Sequence, residues 1–406
     1  MKYFKNTELA KLYHVSEKSV RNWVDAAVAG KLKLELHEHN GKRFIANTAQ
    51  NTEVVEGLVE KGKKYKNRRA YKTVTPQAEF YEVYDPKEVF DIMSNIEIHR
   101  EIPHAYSYFD GGAKYWDLYT HKLLDEQTPN PLTKTIELLA LNTSYIDDLI
   151  SRFGAVNVID LGVGNCLPVR DWLAHLLDKG LIKRYIGIDT SKDMLQIAES
   201  NINDWFKGQL QLEGEVRNVI YDRFSDLVAA DSLHGSEPTA NLVLFLGSTI
   251  ANFRDPDHAL RTIGGSMNKD DYLLLSLKLD TERARRYFDF GTGSEGPTLD
   301  LQEKVVLDLL NIDASYYEVE QFFDESNMAR QIQVRLKVDL AIDIQVGDGH
   351  KVLEINKGES VLLWRALHKS MIDVISLLDR NGFDLIQATR SRDEENVLII
   401  CKIKTD

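Results

Sequence analysis

The stretch Val158-Ile-Asp-Leu-Gly-Val-Gly-Asn-Cys166 decides the fold. A short apolar strand runs directly into a glycine turn, which predicts a following helix and brings backbone N–H groups close to a ligand at the carboxyl edge of a parallel sheet. Gly162 and Gly164 allow the tight turn and the close approach that a Cβ would block, although such turns also have purely structural causes. Leu167 stands where a dinucleotide fingerprint has its third glycine, which favours a nucleoside without a pyrophosphate.

Outward from this turn, short apolar strands alternate with helices, which is the pattern of a parallel α/β sheet. Strands are predicted at residues 156–161, 184–189, 212–219, 242–246, 272–278, 383–390 and 397–402. The segment 279–370 interrupts the series with a helix over 301–310 and at least two strands, over 331–340 and 352–355. We therefore predict a Rossmann-like core from residues 151–278 and 371–406, an inserted α+β subdomain at 279–370, and a helical segment at 85–150.

Carboxylates follow the next two predicted strands. Asp189 lies 29 residues after Asp160, at the end of the neighbouring strand, where it can accept hydrogen bonds from both ribose hydroxyls. The alternative is that Asp189 caps the next helix, but Ser191 fills that role better. Asp222 follows the third strand, where it can accept from an adenine amino group with Arg223 or Phe224 beside the ring. The alternative there is a solvated loop.

The fourth strand continues into Leu244-Phe-Leu-Gly-Ser-Thr-Ile-Ala-Asn-Phe253. Gly247, Ser248 and Asn252 are small or polar residues that the strand would place at the same edge of the sheet as the first glycine turn. The structural alternative is that the hydroxyls cap a helix and that Asn252 is a turn residue.

Two strings, Leu246-Gly-Ser-Thr-Ile-Ala-Asn-Phe253 and Asp160-Leu-Gly-Val-Gly-Asn165, resemble the family of histidine-specific methyltransferases that use S-adenosylmethionine (SAM). Members trimethylate the α-amine of histidine on the ergothioneine pathway, and the resemblance covers residues 100–402. It implies a class I SAM-methyltransferase fold with SAM as cofactor. The residues expected at SAM are Asp160, Gly162, Gly164, Asn165, Asp189, Asp222, Arg223, Gly247 and Ser248.

The resemblance also implies residues that contact the substrate. Asn252 would bind an amino-acid-like part of it, and Tyr108, Gly112 and Trp116 resemble the N-terminal lid segment of the family. Tyr119 approximates one of the paired lid tyrosines. Near the C-terminus the family has a Glu-x-Ser pair that reads the imidazole ring, and here Trp364 and Ala366 fall at about those positions.

The change at this pair alters the expected substrate. A buried imidazole without partners would leave polar atoms unpaired at a cost of about 1–3 kcal/mol each. We therefore expect the acceptor to be a bulkier or more apolar amine, or a modified amino acid, and not free histidine. A small-molecule or peptide amine is the predicted substrate, and Trp116, Trp364 and Asn252 are its predicted contacts.

Methyl transfer from a sulfonium is an in-line displacement, in which positioning can contribute about 7–11 kcal/mol. Asn252, Tyr108 and Tyr119 are the candidate catalytic residues. An amine nucleophile must be neutral, so a proton acceptor helps. His104, His121 and His368 are possible acceptors, although a lone histidine is more often a surface or capping residue. No metal site is expected.

The N-terminal region has a different charge from the rest. Residues 1–75 contain 16 Lys and Arg against 8 Asp and Glu, whereas the whole chain has a net charge of -13. Residues 1–46 read as two helices followed by a hairpin around Asn40-Gly41, the pattern of a winged helix-turn-helix domain. Residues 47–84, with the basic run Lys61-Gly-Lys-Lys-Tyr-Lys-Asn-Arg-Arg-Ala-Tyr-Lys72, read as a linker that is partly helical before Gly62.

Residues 7–45 resemble the MerR/excisionase-like DNA-binding fold, in which the second helix enters the major groove. This implies DNA contacts by Lys18, Arg21 and Asn22 on that helix and by Arg43 on the wing. Lys63, Lys64, Lys66, Arg68 and Arg69 could add phosphate contacts. The alternatives are that the domain mediates protein contacts and that the basic run is a solvated linker.

The sequence also allows other interpretations of what the whole chain does. A DNA-binding transcriptional regulator whose methyltransferase-like domain senses SAM or a metabolite is the alternative to an enzyme. A third reading is a methyltransferase that acts on a nucleic acid or a protein brought to it by the N-terminal domain. Its nucleic-acid version is disfavoured, because the chain lacks the Asn/Asp-Pro-Pro-aromatic tetrad for base amines and is acidic after residue 75. The start is too polar for a signal pattern, apolar runs are far shorter than the roughly 20 residues of a membrane span, and there are two cysteines, Cys166 and Cys401. These features predict a cytoplasmic protein.

Overall fold

The computed structural model describes residues 3–39, 41–66, 71–126, 130–229, 240–286, 297–347 and 349–405. They form two compact units, Met1–Lys72 and Thr73–Asp406. None of the helices in the described part of the chain combines the length and the apolar character that crossing a bilayer requires.

The first unit consists of three helices and a three-stranded antiparallel sheet. Its elements are β1 (Tyr3–Phe4), α1 (Asn6–Leu12), α2 (Glu17–Val28), β2 (Leu36–His39), β3 (Lys42–Ala46) and α3 (Ala49–Lys66). The predicted N-cap is present, because the Ser16 hydroxyl accepts a hydrogen bond from the Ser19 N–H at 3.1 Å. The two helices and the antiparallel strands β2 and β3 lie where the sequence predicts them, while Asn40 of the predicted turn lies outside the described residues. The assignment of the unit as a winged helix-turn-helix domain stays a prediction.

The segment interpreted as a linker, residues 47–84, is more structured than expected. Helix α3 continues through Gly62 to Lys66, and Val55 is buried in the core of the first unit. The buried Asn51 amide donates to the carbonyls of Ala46 and Glu35, at 2.8 and 2.9 Å. Because the sequence of this segment is mostly polar, its pattern does not indicate that Asn51 and Val55 are buried. The basic side chains of residues 61–70, including Lys63, Lys64, Lys66, Arg68 and Arg69, lie outside the described residues.

A strand and four helices precede the main sheet. They are β4 (Lys72–Val74), α4 (Ala78–Val83), α5 (Pro86–His99), α6 (Gly112–Asp125) and α7 (Pro131–Ile150). The predicted start at Asp85-Pro86 is observed: the Asp85 carboxylate accepts from the N–H groups of Lys87 and Glu88, at 2.8 and 2.9 Å. Proline at the first helical position leaves no additional N–H unsatisfied.

The core and the insertion follow in chain order. The core elements are β5 (Val156–Leu161), α8 (Arg170–Asp178), β6 (Ile182–Asp189), α9 (Lys192–Phe206), β7 (Leu212–Val216), α10 (Ser225–Ala229), β8 (Asn241–Phe245), α11 (Pro256–Gly264) and β9 (Tyr272–Lys278). The insertion contains α12 (Glu282–Arg286), α13 (Leu301–Leu309), β10 (Tyr317–Asp324), β11 (Ala329–Leu336), β12 (Leu340–Val346), β13 (Gly349–Ile355) and β14 (Ser360–Leu367). The chain ends with α14 (Met371–Arg380), β15 (Phe383–Arg390) and β16 (Asn396–Ile403).

The main sheet has seven strands in the order β15-β16-β9-β8-β5-β6-β7. Strands β5 to β9 are parallel to one another, whereas β16 is antiparallel to both β9 and β15. Successive residues of β5 alternate between two buried layers, since Val158 packs on one side of the sheet and Ile159 on the other. The class I methyltransferase fold expected from the sequence is confirmed, with a mixed sheet covered by helices on both faces.

The insertion contains strands beyond the two that the sequence locates. One strand over 331–340 was expected, but the chain turns between Leu336 and Leu340, where the Lys337 N–H donates to the Tyr316 carbonyl at 2.8 Å. Five strands, β10 to β14, take part in two three-stranded sheets, of order β10-β11-β14 and β13-β12-β4. Strands β10 and β14 were not predicted.

Candidate active site

The glycine turn and the second-strand carboxylate come together at the carboxyl edge of the sheet. After β5 the chain turns through Gly162 and Gly164, which have φ angles of +67° and +55°. The Gly164 N–H donates to the Asp189 carboxylate across 3.4 Å. Ser191 caps α9 by accepting from the Met194 N–H at 3.2 Å, so the cap role considered for Asp189 is taken by Ser191.

Asp160 and Asp189 are two carboxyl groups with raised pKa values at this edge. Burial raises the pKa of Asp160 to about 8, although a hydrogen bond from the Tyr185 hydroxyl at 3.0 Å opposes the shift. Burial raises the pKa of Asp189 to about 6, against the effect of backbone N–H groups of Ser191, Gly164 and Thr190. Such carboxyl groups are stabilised by a ligand that brings positive charge.

The loop after β8 reaches the same turn. Gly247 has a φ of +71°, and its N–H donates to the Ser276 hydroxyl at 2.8 Å, while Ser248 has a φ of +64°. A Cβ built on Gly162 would lie 3.6 Å from the Thr249 methyl group, which shows how closely the two loops approach. The structure therefore brings the first and fourth strand ends together, as the parallel sheet predicts.

Asn252 connects this loop to the insertion. Its side-chain amide donates to the Arg365 carbonyl of β14 across 2.5 Å. The bond uses the amide nitrogen of Asn252 as the donor, while the side-chain oxygen is an acceptor and takes no part in it. The residues on either side of Arg365 are Trp364 and Ala366, the two positions at which a substrate side chain is expected.

Tyr108 and Trp116 cover the glycine turn. Tyr108 ends a 3-10 turn (His104–Tyr108), and its backbone carbonyl accepts from the Ser191 hydroxyl at 2.8 Å. The rings of Tyr108 and Trp116 meet edge to face with centroids 5.9 Å apart. A Cβ built on Gly164 would be 3.9 Å from the Trp116 ring nitrogen. The Tyr119 ring lies 5.8 Å from that of Trp116, so the predicted lid residues form one aromatic group.

Asn165 has a role that the sequence analysis missed. Its amide nitrogen donates to the Asp117 carboxylate at 2.8 Å and to the Thr120 hydroxyl at 2.7 Å, both on α6. Its side-chain oxygen accepts from the Leu167 N–H at 3.2 Å. The side chain therefore ties the lid helix to the glycine turn. The sequence carries no signal for this contact, because Asn165 and Thr120 are 45 residues apart.

The residues expected near adenine are placed differently. The Asp222 carboxylate accepts from the Asn218 N–H of its own loop at 2.9 Å. The Arg223 guanidinium lies against Gly265 at the end of α11, where its central carbon is 3.2 Å from the position of a Cβ. These contacts are with the loop itself and with α11, so the adenine role of Asp222 and Arg223 stays a prediction without a supporting contact.

Trp364 and Ala366 lie on one face of β14, opposite Ile332 and Arg330 of β11. The Arg330 guanidinium is 5.5 Å from the centre of the Trp364 ring. Neither position offers a carboxylate or a hydroxyl, so the pair presents an aromatic ring and a methyl group.

The three candidate histidines have different environments. His121 is exposed on α6 and contacts Asp117. His368 accepts from the Arg330 guanidinium at 3.0 Å, and burial lowers its pKa to about 4. The His104 ring nitrogen Nε2 lies 3.2 Å from the Tyr108 hydroxyl. Of the three, His104 is the one that contacts a candidate catalytic residue.

The predicted DNA-contacting residues are exposed in the first unit. Lys18, Arg21 and Asn22 lie on α2, and Arg43 lies on β3. Two of them have acidic neighbours, since Arg21 is 3.7 Å from Glu17 and Arg43 is 3.5 Å from Glu38. DNA contact by this unit stays a prediction.

Comparisons with known proteins indicate the family of this chain. A family model described as histidine-specific methyltransferase, SAM-dependent, matches residues 87–403. A histidine N-alpha-methyltransferase of Mycolicibacterium smegmatis is 30% identical over 200 residues, which are 48% of this chain and 56% of that protein. The chain thus spans about half the length of this curated relative.

Several solved structures share a weaker likeness. A SAM-dependent methyltransferase of Clostridium acetobutylicum has 10% identity and a TM-score of 0.39, over 73% of this chain and 100% of that one. The glycopeptide N-methyltransferase MtfA, solved with SAM, has 14% identity and a TM-score of 0.33, over 65% of this chain and 94% of that one.

Proposed function

The chain belongs to the histidine-specific, SAM-dependent methyltransferase family, and on this premise we propose that it methylates the amine of an amino-acid-like or other small or peptide substrate that is not free histidine. The observation that carries this proposal is the hydrogen bond from Asn252 to the Arg365 carbonyl. It joins the methyl-transfer edge of the sheet to Trp364 and Ala366, the two positions that would read the substrate side chain.

The described residues fit SAM. Gly162 and Gly164 keep the turn open to a ligand, and Gly247 does the same at the neighbouring strand end. Asp160 and Asp189 supply negative charge for the cationic cofactor. SAM supplies a methyl group that its sulfonium has already activated. The protein is then left with binding, alignment and the exclusion of water.

The chain's own residues would align the acceptor. Asn252 presents its side-chain oxygen to an amine N–H, while its amide nitrogen is held by the Arg365 carbonyl. Tyr108 and Tyr119 flank Trp116 over the glycine turn and limit the directions from which an amine can approach. An amine whose N–H groups are held in this way directs its lone pair along one line, as an in-line displacement requires.

The substrate side chain would meet an aromatic ring and a methyl group. Trp364 is mostly buried and packs beside the Arg330 guanidinium. A free-histidine imidazole there would lose hydrogen bonds at about 1–3 kcal/mol for each unpaired group. An apolar or aromatic side chain loses none and gains contact area with Trp364.

A substrate panel tests this proposal. Purified protein is incubated with SAM and with free histidine, aromatic and aliphatic amino acids or short peptides, and methylated products are measured by mass spectrometry. We expect apolar amines to react faster than histidine. The double variant Trp364→Glu/Ala366→Ser should reverse that order, because it restores an acceptor and a hydroxyl. A wild-type preference for free histidine would contradict the proposal.

A loss-of-function variant tests the alignment step. Asn252→Ala should lower turnover while the dissociation constant for SAM, measured by calorimetry, changes by less than about threefold. If turnover and SAM binding fall by the same factor, Asn252 contributes to cofactor binding and not to the alignment of the acceptor.

For the first unit we propose DNA binding through α2. Lys18, Arg21 and Asn22 are exposed, while Val20 and Val24 of the same helix are buried, so the polar residues are available to a partner. The full chain is titrated against a fluorescently labelled duplex, and the anisotropy is followed at several salt concentrations. Affinity should fall by about 0.9 log units per tenfold rise in salt for each phosphate contact. Lys18→Glu/Arg21→Glu should abolish binding, and binding unchanged by this pair would argue against the proposal.

The same titration distinguishes an enzyme from a sensor. A regulator that senses SAM would change its DNA affinity when SAM is added and would consume none of it. An enzyme with a targeting unit would turn over SAM whether or not DNA is present.

A further inference from the structure

We propose that His104 is a positioning residue for methyl transfer: it accepts the Tyr108 hydroxyl hydrogen and so turns the lone pairs of that oxygen toward the substrate amine. This inference rests on the proposed methyltransferase function and extends it to a residue outside the SAM-binding loops. It is carried by the contacts of His104, Ser107, Tyr108 and Gln302.

The hydrogen bonds around His104 determine which ring nitrogen carries the hydrogen. The Ser107 hydroxyl donates its hydrogen to the His104 backbone carbonyl at 2.6 Å and accepts from the Gln302 amide at 3.2 Å. It also lies 3.3 Å from Nδ1 of His104. Because the hydroxyl hydrogen is already committed, the hydrogen of that third contact must come from Nδ1.

A neutral imidazole with its hydrogen on Nδ1 has a lone pair on Nε2. The Tyr108 hydroxyl lies 3.2 Å from Nε2, so the tyrosine is the donor. Burial lowers the pKa of His104 to about 4, which keeps the ring neutral near pH 7. Burial also raises the pKa of Tyr108, with Asp189 and Glu303 adding to the rise and a hydrogen bond with Gln302 opposing it. The tyrosine therefore stays protonated and remains the donor.

This arrangement has a consequence for the reaction. With its hydrogen directed at His104, the Tyr108 oxygen can act toward the substrate only as an acceptor. An amine N–H that donates to it is fixed in direction, and the amine lone pair is left free for the methyl group. The Tyr108 ring contacts Trp116, and its backbone carbonyl accepts from Ser191. Besides burial, the Asp189 carboxylate is close enough to raise the pKa of the Tyr108 hydroxyl, so the acceptor oxygen lies at the cofactor side of the lid.

Kinetic variants test the role. His104→Phe keeps the ring shape and removes the acceptor, and we expect kcat to fall about tenfold while the dissociation constant for SAM stays within about twofold. His104→Gln, whose side-chain oxygen can accept from the tyrosine, should recover most of the rate. His99→Phe, at an exposed position at the end of α5, is the matched control and should keep wild-type kinetics.

A double variant separates positioning from a merely structural role. In His104→Phe/Tyr108→Phe, kcat should equal that of Tyr108→Phe alone, because His104 acts through the tyrosine hydroxyl. If the two losses multiply in full, or if His104→Phe retains the wild-type kcat, the proposal is overturned.

Nuclear magnetic resonance of the ligand-free protein gives a readout that needs no substrate. In protein labelled with 15N-histidine, the His104 ring should show its hydrogen on Nδ1, and Tyr108→Phe should shift the Nε2 resonance. A hydrogen on Nε2 overturns the proposal even if turnover is found. Absence of turnover in the wild-type protein, with the Nδ1 hydrogen present, would instead overturn the methyltransferase function and leave the His104–Tyr108 contact standing.

Discussion

Asp160 and Asp189 lie at the ends of adjacent parallel strands, and burial raises the pKa of both carboxyl groups. Their pKa values, about 8 and about 6, lie well above the ordinary range of an aspartate. Without a cation nearby, the protein therefore holds at least one of these carboxyl groups protonated near pH 7. A cationic ligand must displace that proton before it gains the full charge interaction.

We expect the affinity for SAM to rise with pH between about 6 and 8. The cationic cofactor favours the ionised carboxylates, so binding releases protons below the pKa values of the free protein. Each released proton makes the affinity change by at most about tenfold per pH unit. Calorimetric titration in buffers of different ionisation enthalpy would count the protons. An affinity that is constant from pH 5.5 to 8.5 would contradict the charge argument.

Asp160→Asn is the control for this prediction. This substitution should reduce the increase of SAM affinity between pH 7 and 8, and it should weaken SAM binding. It should also raise the melting temperature of the ligand-free protein, with a gain that grows toward pH 8. The folded protein holds the Asp160 proton more tightly than the unfolded chain does, so this group's contribution to stability is lost as pH rises through about 8.

Gly112 is a second residue with a measurable role. A Cβ built there would lie 1.9 Å from the backbone oxygen of Ser107, an overlap that only backbone movement can relieve. Gly112→Ala should lower the free energy of unfolding by about 1–3 kcal/mol or more, measured in denaturant. At Gly111, whose φ is +87°, a Cβ meets open space, so Gly111→Ala should cost only about 1 kcal/mol of backbone strain. Equal effects of the two substitutions would mean that α6 does not pack on the Ser107 backbone.

At the scale of elements, the lid helix α6 depends on one side chain from the opposite loop. Asn165 gives both its amide hydrogens to α6, to Asp117 and to Thr120. The aromatic residues Trp116 and Tyr119 project from the same helix. The position of these rings over the glycine turn therefore follows from the placement of the helix as a whole.

Asn165→Ala should loosen α6 and leave the sheet intact. Amide hydrogens of residues 112–125 should exchange about tenfold faster or more, because about 1–3 kcal/mol of hydrogen bonding to the helix is lost. Hydrogen exchange followed by mass spectrometry measures this. Asn165→Asp should be at least as harmful, since it sets a second carboxylate against Asp117. Asn203→Ala, at an exposed position of α9, is the control. Unchanged exchange in α6 would show that Asn165 does not hold the lid.

For the whole molecule, the division into two units matches the division of charge. The buried apolar residues of the first unit, among them Leu9, Val20, Ile45 and Val55, form a cluster of their own. The basic excess of residues 1–75 is confined to the same part of the chain. The residues predicted to bind SAM, by contrast, all lie in the second unit.

We expect a chain that begins at Tyr71 to fold and to bind SAM with the affinity of the full protein. The reason is that the core, the glycine turn and the lid all belong to the second unit, and β4 is retained. Circular dichroism and calorimetry would measure folding and SAM binding. A shortened chain that remains folded but binds SAM more than tenfold more weakly would show that the first unit contributes to the cofactor site.

How far the sequence predicts the molecule differs from element to element. Strands β5 and β9 are observed at their predicted bounds, and the start of α5 at Asp85-Pro86 is observed as well. Strands β10 and β14 were not predicted, and the segment that forms helix α3 was interpreted as a linker that is helical only before Gly62. Their inward residues are few and widely spaced, so their local pattern resembles that of a polar loop until the partner surface is known.

The alternation of strands and helices, the glycine turn and the family resemblance were readable from the sequence alone, because they depend on hydrophobic period and on residues close together in the chain. Only the tertiary structure decided that Asn165 holds the lid, that Asn252 meets the Arg365 carbonyl and that His104 contacts Tyr108 within a network closed by Gln302. His104 and Tyr108 are only four residues apart, but the pairs Asn165–Thr120, Asn252–Arg365 and Ser107–Gln302 are separated by 45, 113 and 195 residues. Hydrogen bonds between such distant positions form only after the chain has packed, and no local spacing rule specifies them.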